Sequence, residues 1–202
     1  MIETIASVGD PQRAAVAETM PPSPIPTSLR DRLRQGSAQE HARLDARLGA
    51  IDLATARGYA RFLTLHSAGL AAVQPAAAAF IGASLGLALP DARAMVAADL
   101  REMGLAEPAG AAPPIDPAQG AGAAYVLLGS RMGMGVISRG VHLPPGACGR
   151  YLFDRSLGAL WRPMRDWLQA APAQGPLAEA ALAGTQAAFA AFTAAAGIGP
   201  GA

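Results

Sequence analysis

From Ser28 onward, apolar residues recur at steps of three and four, and no stretch alternates with a period of two. That spacing lays one apolar stripe along a helix and cannot line one face of a strand. The chain is therefore expected to be all-α. Leu29, Leu33, Ser37, His41, Leu44 and Leu48 trace the first stripe, with Ser28 as N-cap and Gly49 as C-cap. Ser37-Ala-Gln-Glu40 also reads as a capping box behind Gly36. The helix either breaks there or bends and continues; continuity is the expectation.

Further helices follow from the same logic. Tyr59, Phe62, Leu63, His66 and Leu70 share a face of a second helix starting near Thr55. Pro75 is expected to open a third, running to about Leu85, since proline suits a first turn and not an interior. Pro90-Asp91 starts a fourth, which Gly104 ends. Pro108, Pro113, Pro114 and Pro117 mark residues 106–120 as a loop, and Asp116-Pro117 as the N-cap and first turn of a fifth helix ending near Gly140. A sixth is expected from about Ala147 to Ala170 with a kink at Pro163, and a seventh from Gly175-Pro176. The expectation is a single-domain bundle of about seven helices over residues 28–196. A disordered Pro-rich tail (1–27) precedes it and a flexible end (197–202) follows.

Composition removes several function classes. A net charge of +1 makes no case for nucleic acid or an anionic membrane surface. All 16 basic residues are arginine, so any anion contact falls to Arg, a backbone N–H or a hydroxyl. Cys148 is the only cysteine, which excludes an internal disulfide and a cysteine metal cluster, and suits a reducing cytoplasm. Residues 66–90 and 180–202 lack Asp, Glu and Arg, yet carry Gln, Thr, Ser, Gly and Pro. They are expected to be buried helices of a soluble bundle, not membrane spans. The N-terminus has Glu3 and no basic-then-apolar pattern, against a secretory signal.

Two features invite a functional reading. The first is Tyr125–Arg139, an apolar helical stretch holding Gly129, Gly133 and Gly135. Each glycine costs a helix about 1 kcal/mol against alanine. Either another helix packs closely there, as a G-x-x-x-G pair would allow, or a flat ligand lies against the backbone. The second is the set of three histidines. His142 precedes Pro144 in a turn and should be solvated; His66, on an aromatic face, reads as a hydrogen-bonded core residue. No zinc-type spacing joins the three. His41, among leucines, reads either as core or as the axial ligand of a heme covered by the glycine helix.

At this point the sequence resembles a family. SLRDRLRQGSAQEHARLDARL is similar to the first helix of bacterial biliverdin-producing heme oxygenases, whose pattern is L-R-x-A-T-x-x-x-H-x-x-L-[ED]. Tyr59, Phe62, Leu63 and His66 resemble Y-x-x-F-L-x-x-H, and Asp99-Leu100 with Gly104-Leu105 resembles D-L-x-x-L-G. AAYVLLGSRMGMGVISR resembles the family's distal helix, Y-V-x-E-G-S-x-L-G-[GA]. Tyr151, Gly158 and Trp161 resemble the next segment, and Phe189 and Phe192 the last helix.

The resemblance implies a heme oxygenase-like fold and an enzyme for which heme is both substrate and cofactor. It would open the porphyrin to biliverdin, Fe²⁺ and CO, using O₂ and electrons from a ferredoxin or flavoprotein reductase. A bacteriophytochrome could receive the product. His41 would be the proximal iron ligand, and Gly129, Ser130, Gly133 and Met134 the distal wall. Arg34, two turns before His41, with Arg162 and Arg165, would meet the propionates or else form a solvated face.

Two departures stand out. Leu128 replaces the usual Glu, and Met134 a Gly or Ala. A thioether at 134 could narrow the O₂ pocket or ligate iron, which would favour a non-catalytic heme-binding, sensing or storage protein. A helical protein without heme is the third reading. A thiamin-degrading enzyme of the related fold is disfavoured, because it needs a catalytic cysteine and Cys148 lies in a turn-rich segment.

Overall fold

The computed structural model describes residues 25–109 and 112–197. Within them the chain is all-α, with no strand. The elements are α1 (Leu29–Gly36), α2 (Ala38–Gly49), α3 (Ala56–Leu85), α4 (Ala92–Glu102), α5 (Gly120–Ile137), α6 (Arg150–Phe153), α7 (Ser156–Ala159), α8 (Trp161–Ala170) and α9 (Pro176–Ala195). Short 3₁₀ turns at Pro117–Gln119 and Ser138–Gly140 flank α5. Of the proposed tail only residues 25–27 lie among the described residues, and of the C-terminal end only Gly197.

Helix starts follow the capping chemistry. Ser28 Oγ accepts from Asp31 N, Thr55 Oγ1 from Gly58 N, Asp91 Oδ1 from Ala94 N and Asp116 Oδ1 from Ala118 N. Gly86 ends α3 in the left-handed region at φ 64°, where its N–H reaches Gly82 O and that of Leu87 reaches Ile81 O.

Helix boundaries depart from expectation in three places. The first helix breaks: Ser37 sits at φ −126°, ψ 9°, and its hydroxyl donates to Leu33 O at 2.7 Å, which ends α1. Pro75 does not start a helix but lies inside the 30-residue α3. The residues around it, Ala72, Val73, Ala76 and Ala77, are buried, and that burial holds the helix together through the lost N–H. Ile115 N, from the loop before α5, donates to Ala72 O at 3.0 Å, one turn before the proline. Residues 147–170 form three short helices instead of one kinked helix. Asp154 Oδ2 accepts from Leu157 N and caps α7, while Pro163 falls in the first turn of α8, where no N–H is needed.

The bundle is built on α3, α5 and α9, which pack pairwise on one another. α4 covers α3; α1 lies against α8 and α9; α2 rests on α9. Asp99 on α4, fully buried, accepts from Tyr151 N at 3.0 Å and Arg150 N at 3.2 Å, and faces Tyr59 Oη at 3.4 Å. It thereby fixes the start of α6 against α3 and α4. Desolvation raises the Asp99 carboxyl above its ordinary range. Arg150 offsets part of that and also pairs with Glu102, whose carboxyl falls to about 2.

Candidate functional site

The glycines of α5 divide into two sets. A Cβ on Gly122 would sit 2.0 Å from Ala181 O, and one on Gly120 2.6 Å from Ala76 O. Gly184 of α9 answers them, since its Cβ would fall 2.1 Å from Gln119 O. These three let α5 settle between α3 and α9, the close packing that small residues permit. In the second half the situation reverses. A Cβ on Gly133 or Gly135 would meet nothing within 4 Å, and one on Gly129 only the Trp161 ring at 3.6 Å. Helix packing therefore accounts for Gly120 and Gly122 and not for the Gly129/Gly133 pair.

Rotation of α5 decides which side chains share that uncovered side. At 100° per residue, Tyr125, Gly129, Met132, Gly133 and Val136 fall on one face. Met132 is 58% exposed and Val136 65%. The opposite side carries Leu127, Arg131 and Met134, all buried. Met134 is thus not where the distal wall was expected: its Sδ lies 3.0 Å from Arg131 Nη1, turned into the body. Ser130 is exposed, with its hydroxyl donating to Leu127 O at 2.8 Å. The thioether on the open face belongs to Met132.

His41 is not a core residue. Its side chain is 58% exposed, with Nδ1 2.9 Å from Asp45 Oδ2 one turn on. Its ring meets Phe189 of α9 edge-on at 5.7 Å between centroids. In the neutral tautomer that donates Nδ1–H to the carboxylate, the lone pair sits on Nε2, which no hydrogen bond among the described residues engages. α2 is attached narrowly: Leu44 is its only buried residue. Between α2 and α9 runs an open groove of about 520 Å³, lined by Glu40, Arg43, Gln186, Phe189, Thr193 and neighbouring alanines.

The other two histidines lie as the sequence suggests. His142 is exposed in a loop. His66 is buried, with Nδ1 2.8 Å from Phe62 O, and sits among Phe62, Tyr151 and Phe192. Burial is the main cause that lowers it to about 4, with the nearby Arg131 charge acting in the same direction. Among the described residues no cluster of His, Cys, Asp and Glu could hold a metal ion.

Arg34 is solvent-facing, 3.8 Å from Asp31, and lies with Arg30 close enough to Tyr125 to counter part of the rise that burial gives its phenol. Arg162 and Arg165 are exposed on α8, and Arg165 pairs with Asp166 at 3.0 Å. Trp161, at the start of the same helix, lies over Gly129 and 6.0 Å from the Tyr125 ring.

Two residues escaped the sequence reading. Arg131 is only 5% exposed, and nothing in S-R-M-G-M-G marks it as buried. Met132, not Met134, carries the outward thioether, and the helical offset of each from Gly129 is the signal in the sequence that separates them. No protein-family model matches the sequence, and neither curated proteins nor solved structures give a match.

Proposed function

We propose that this chain has a heme oxygenase-like fold, binds heme through His41 and opens the porphyrin to biliverdin, Fe²⁺ and CO. The observation that carries the reading is the pairing of two unlike surfaces on one bundle. One is an exposed imidazole whose Nδ1 is held by Asp45. The other is a glycine-lined helix half that packs against nothing at Gly133 and Gly135. A neutral imidazole nitrogen suits iron, and an uncovered face of Gly, Met and Val suits an apolar macrocycle.

Bound there, heme would supply the iron that activates O₂, with electrons arriving from a ferredoxin or flavoprotein reductase. The chain's own residues would bind and orient. Asp45 holds the His41 ring through Nδ1 and would set its direction and tautomer. Gly129 and Gly133 let the α5 backbone approach a flat ring, and Trp161 bounds the face at Gly129. Arg34, Arg162 and Arg165 are exposed and would be the candidates to meet propionate carboxylates. The Ser130 hydroxyl, occupied by Leu127 O, keeps acceptor capacity for a distal water.

A second reading is favoured by Met132. A soft thioether on the uncovered face could hold iron on its second side and convert the chain into a heme carrier or sensor.

Hemin titration followed by ascorbate, with wild type and His41→Ala, tests both. One heme per chain, loss of the Soret band and growth of biliverdin absorption, all lost in His41→Ala, support the oxygenase. A low-spin spectrum that survives reductant supports the carrier. No Soret shift in wild type refutes both.

A further inference from the structure

A buried arginine normally has a carboxylate, because an uncompensated charge in the interior is strongly unfavourable. Arg131 has none in contact. Nη2 donates to Tyr151 O at 2.8 Å and Asp154 O at 2.9 Å, and Nη1 lies 3.0 Å from Met134 Sδ. The guanidinium stacks 4.8 Å from the Tyr151 ring centroid, and Nε is buried without a partner. The two carbonyls come from the second residue of α6 and from the residue that caps α7, so the charge is held by the α6–α7 corner.

The rest of that helix half explains why such a costly group stands there. Beyond Leu128, the only buried residues of α5 are Arg131 and Met134. Ser130, Met132, Gly133, Gly135, Val136 and Ile137 are all exposed. Three glycines leave the segment little side-chain grip of its own. Apart from the continuous helix itself, its buried side-chain anchors are the Arg131 guanidinium and the Met134 thioether it touches.

We propose that Arg131 is the positioning residue of the candidate site, a buried clamp that fixes the last two turns of α5 so that Gly129, Met132 and Gly133 face outward and Met134 inward. The corner it grips is itself rigid. Tyr151 is held through its N–H by Asp99 and through its carbonyl by Arg131, and its ring packs on His66 and Phe62. The clamp thus references the glycine face to α3 and α4. Its effect on bound heme rests on the proposed function; its effect on the free protein does not.

Two variants test it. Arg131→Met keeps bulk but loses charge and donors; Arg131→Lys keeps the charge without the fork. Amide hydrogen exchange is read first on the ligand-free chains. Peptides covering 129–137 should exchange at least about tenfold faster in Arg131→Met, with α3 and α9 unchanged and partial recovery in Arg131→Lys. Hemin-loaded proteins are then reduced under carbon monoxide and the C–O stretch recorded. It should shift in Arg131→Met and return toward wild type in Arg131→Lys, which loss of global stability alone would not produce. Unchanged exchange at 129–137, or acceleration spread evenly over α3 and α9, overturns the clamp, as does a stretch identical in all three. Should wild type bind no hemin, the heme reading fails alone and the exchange data decide the clamp. If Arg131→Met does not fold, Arg131→Lys carries the comparison: local acceleration supports the proposal and its absence overturns it.

Discussion

Alanine at Gly133 should stabilise the free protein and weaken its hold on hemin. The added Cβ meets no atom within 4 Å, so it neither clashes nor gains packing. What remains is backbone entropy, worth about 1 kcal/mol in favour of alanine inside a helix. For a domain of this size that is roughly 2–4 °C in Tm. Gly122→Ala is the control of opposite sign: its Cβ would lie 2.0 Å from Ala181 O and 2.4 Å from Thr185 N, both backbone atoms that cannot step aside. Overpacking of that kind costs on the order of 1–3 kcal/mol or more. A flat ligand resting on Gly133 would be lifted by the same methyl that helps the free helix, costing about 1–3 kcal/mol of binding. Thermal melts of the free chains and hemin titrations of each give both numbers. A fall in Tm for Gly133→Ala would mean that something packs there. A rise in Tm with unchanged hemin affinity would remove Gly133 from the site.

Other outcomes follow from the same geometry. Burial holds His66 at about 4 against an unfolded value near 6.5, so the unfolded chain takes up a proton that the folded chain refuses. The contribution is fully present above pH 6.5 and falls away toward pH 4, by about 3 kcal/mol in all. Urea melts of wild type and His66→Phe across that window should diverge in slope; parallel curves would refute it. Asp45→Ala should leave stability within about 1 kcal/mol, because the ion pair is exposed, yet weaken hemin binding roughly 10–100-fold. Equal affinity in isothermal titration would remove the carboxylate from the site. Met132→Leu should alter the spin state of bound hemin more than Met134→Leu does; the reverse order in visible spectra would place the wrong methionine outward. Asp99→Ala should cost about 3 kcal/mol in denaturant melts, since Tyr151 N, Arg150 N and the Arg150 guanidinium lose one acceptor group together. A loss under about 1 kcal/mol would show that the α6 start is held by other contacts.

Local chemistry was the legible part of this fold. The caps at Ser28, Asp91 and Asp116 and the Gly175-Pro176 start of α9 all stand where short-range rules put them, because each is settled within one turn. What could not be read depended on partners far along the chain. Pro75 survives inside α3 through burial on both sides of it. His41 shares a stripe with Leu44 and Leu48, but α2 touches the bundle along too narrow a line to cover it, so it emerges into solvent. Arg131 is buried because a corner twenty residues later offers two carbonyls, and no pattern around position 131 encodes that. The outward thioether of Met132, by contrast, follows from helical offset alone, since 132 lies nearer than 134 to Gly129 around the helix.

α2 and the second half of α5 are alike in being lightly held, one by Leu44 and the other by the Arg131–Met134 contact, on a spine of three well-packed helices. A ligand that touched both, as the proposed heme would, must order two walls that each rest on few buried side chains. Part of its contact energy is then absorbed by lost conformational freedom, and the equilibrium constant understates how closely it fits. The calorimetric sign would be a favourable enthalpy set against an unfavourable entropy, with a heat-capacity change larger than the ligand's own buried area explains. In such a molecule, tightening either wall by mutation raises affinity without adding a single contact to the ligand.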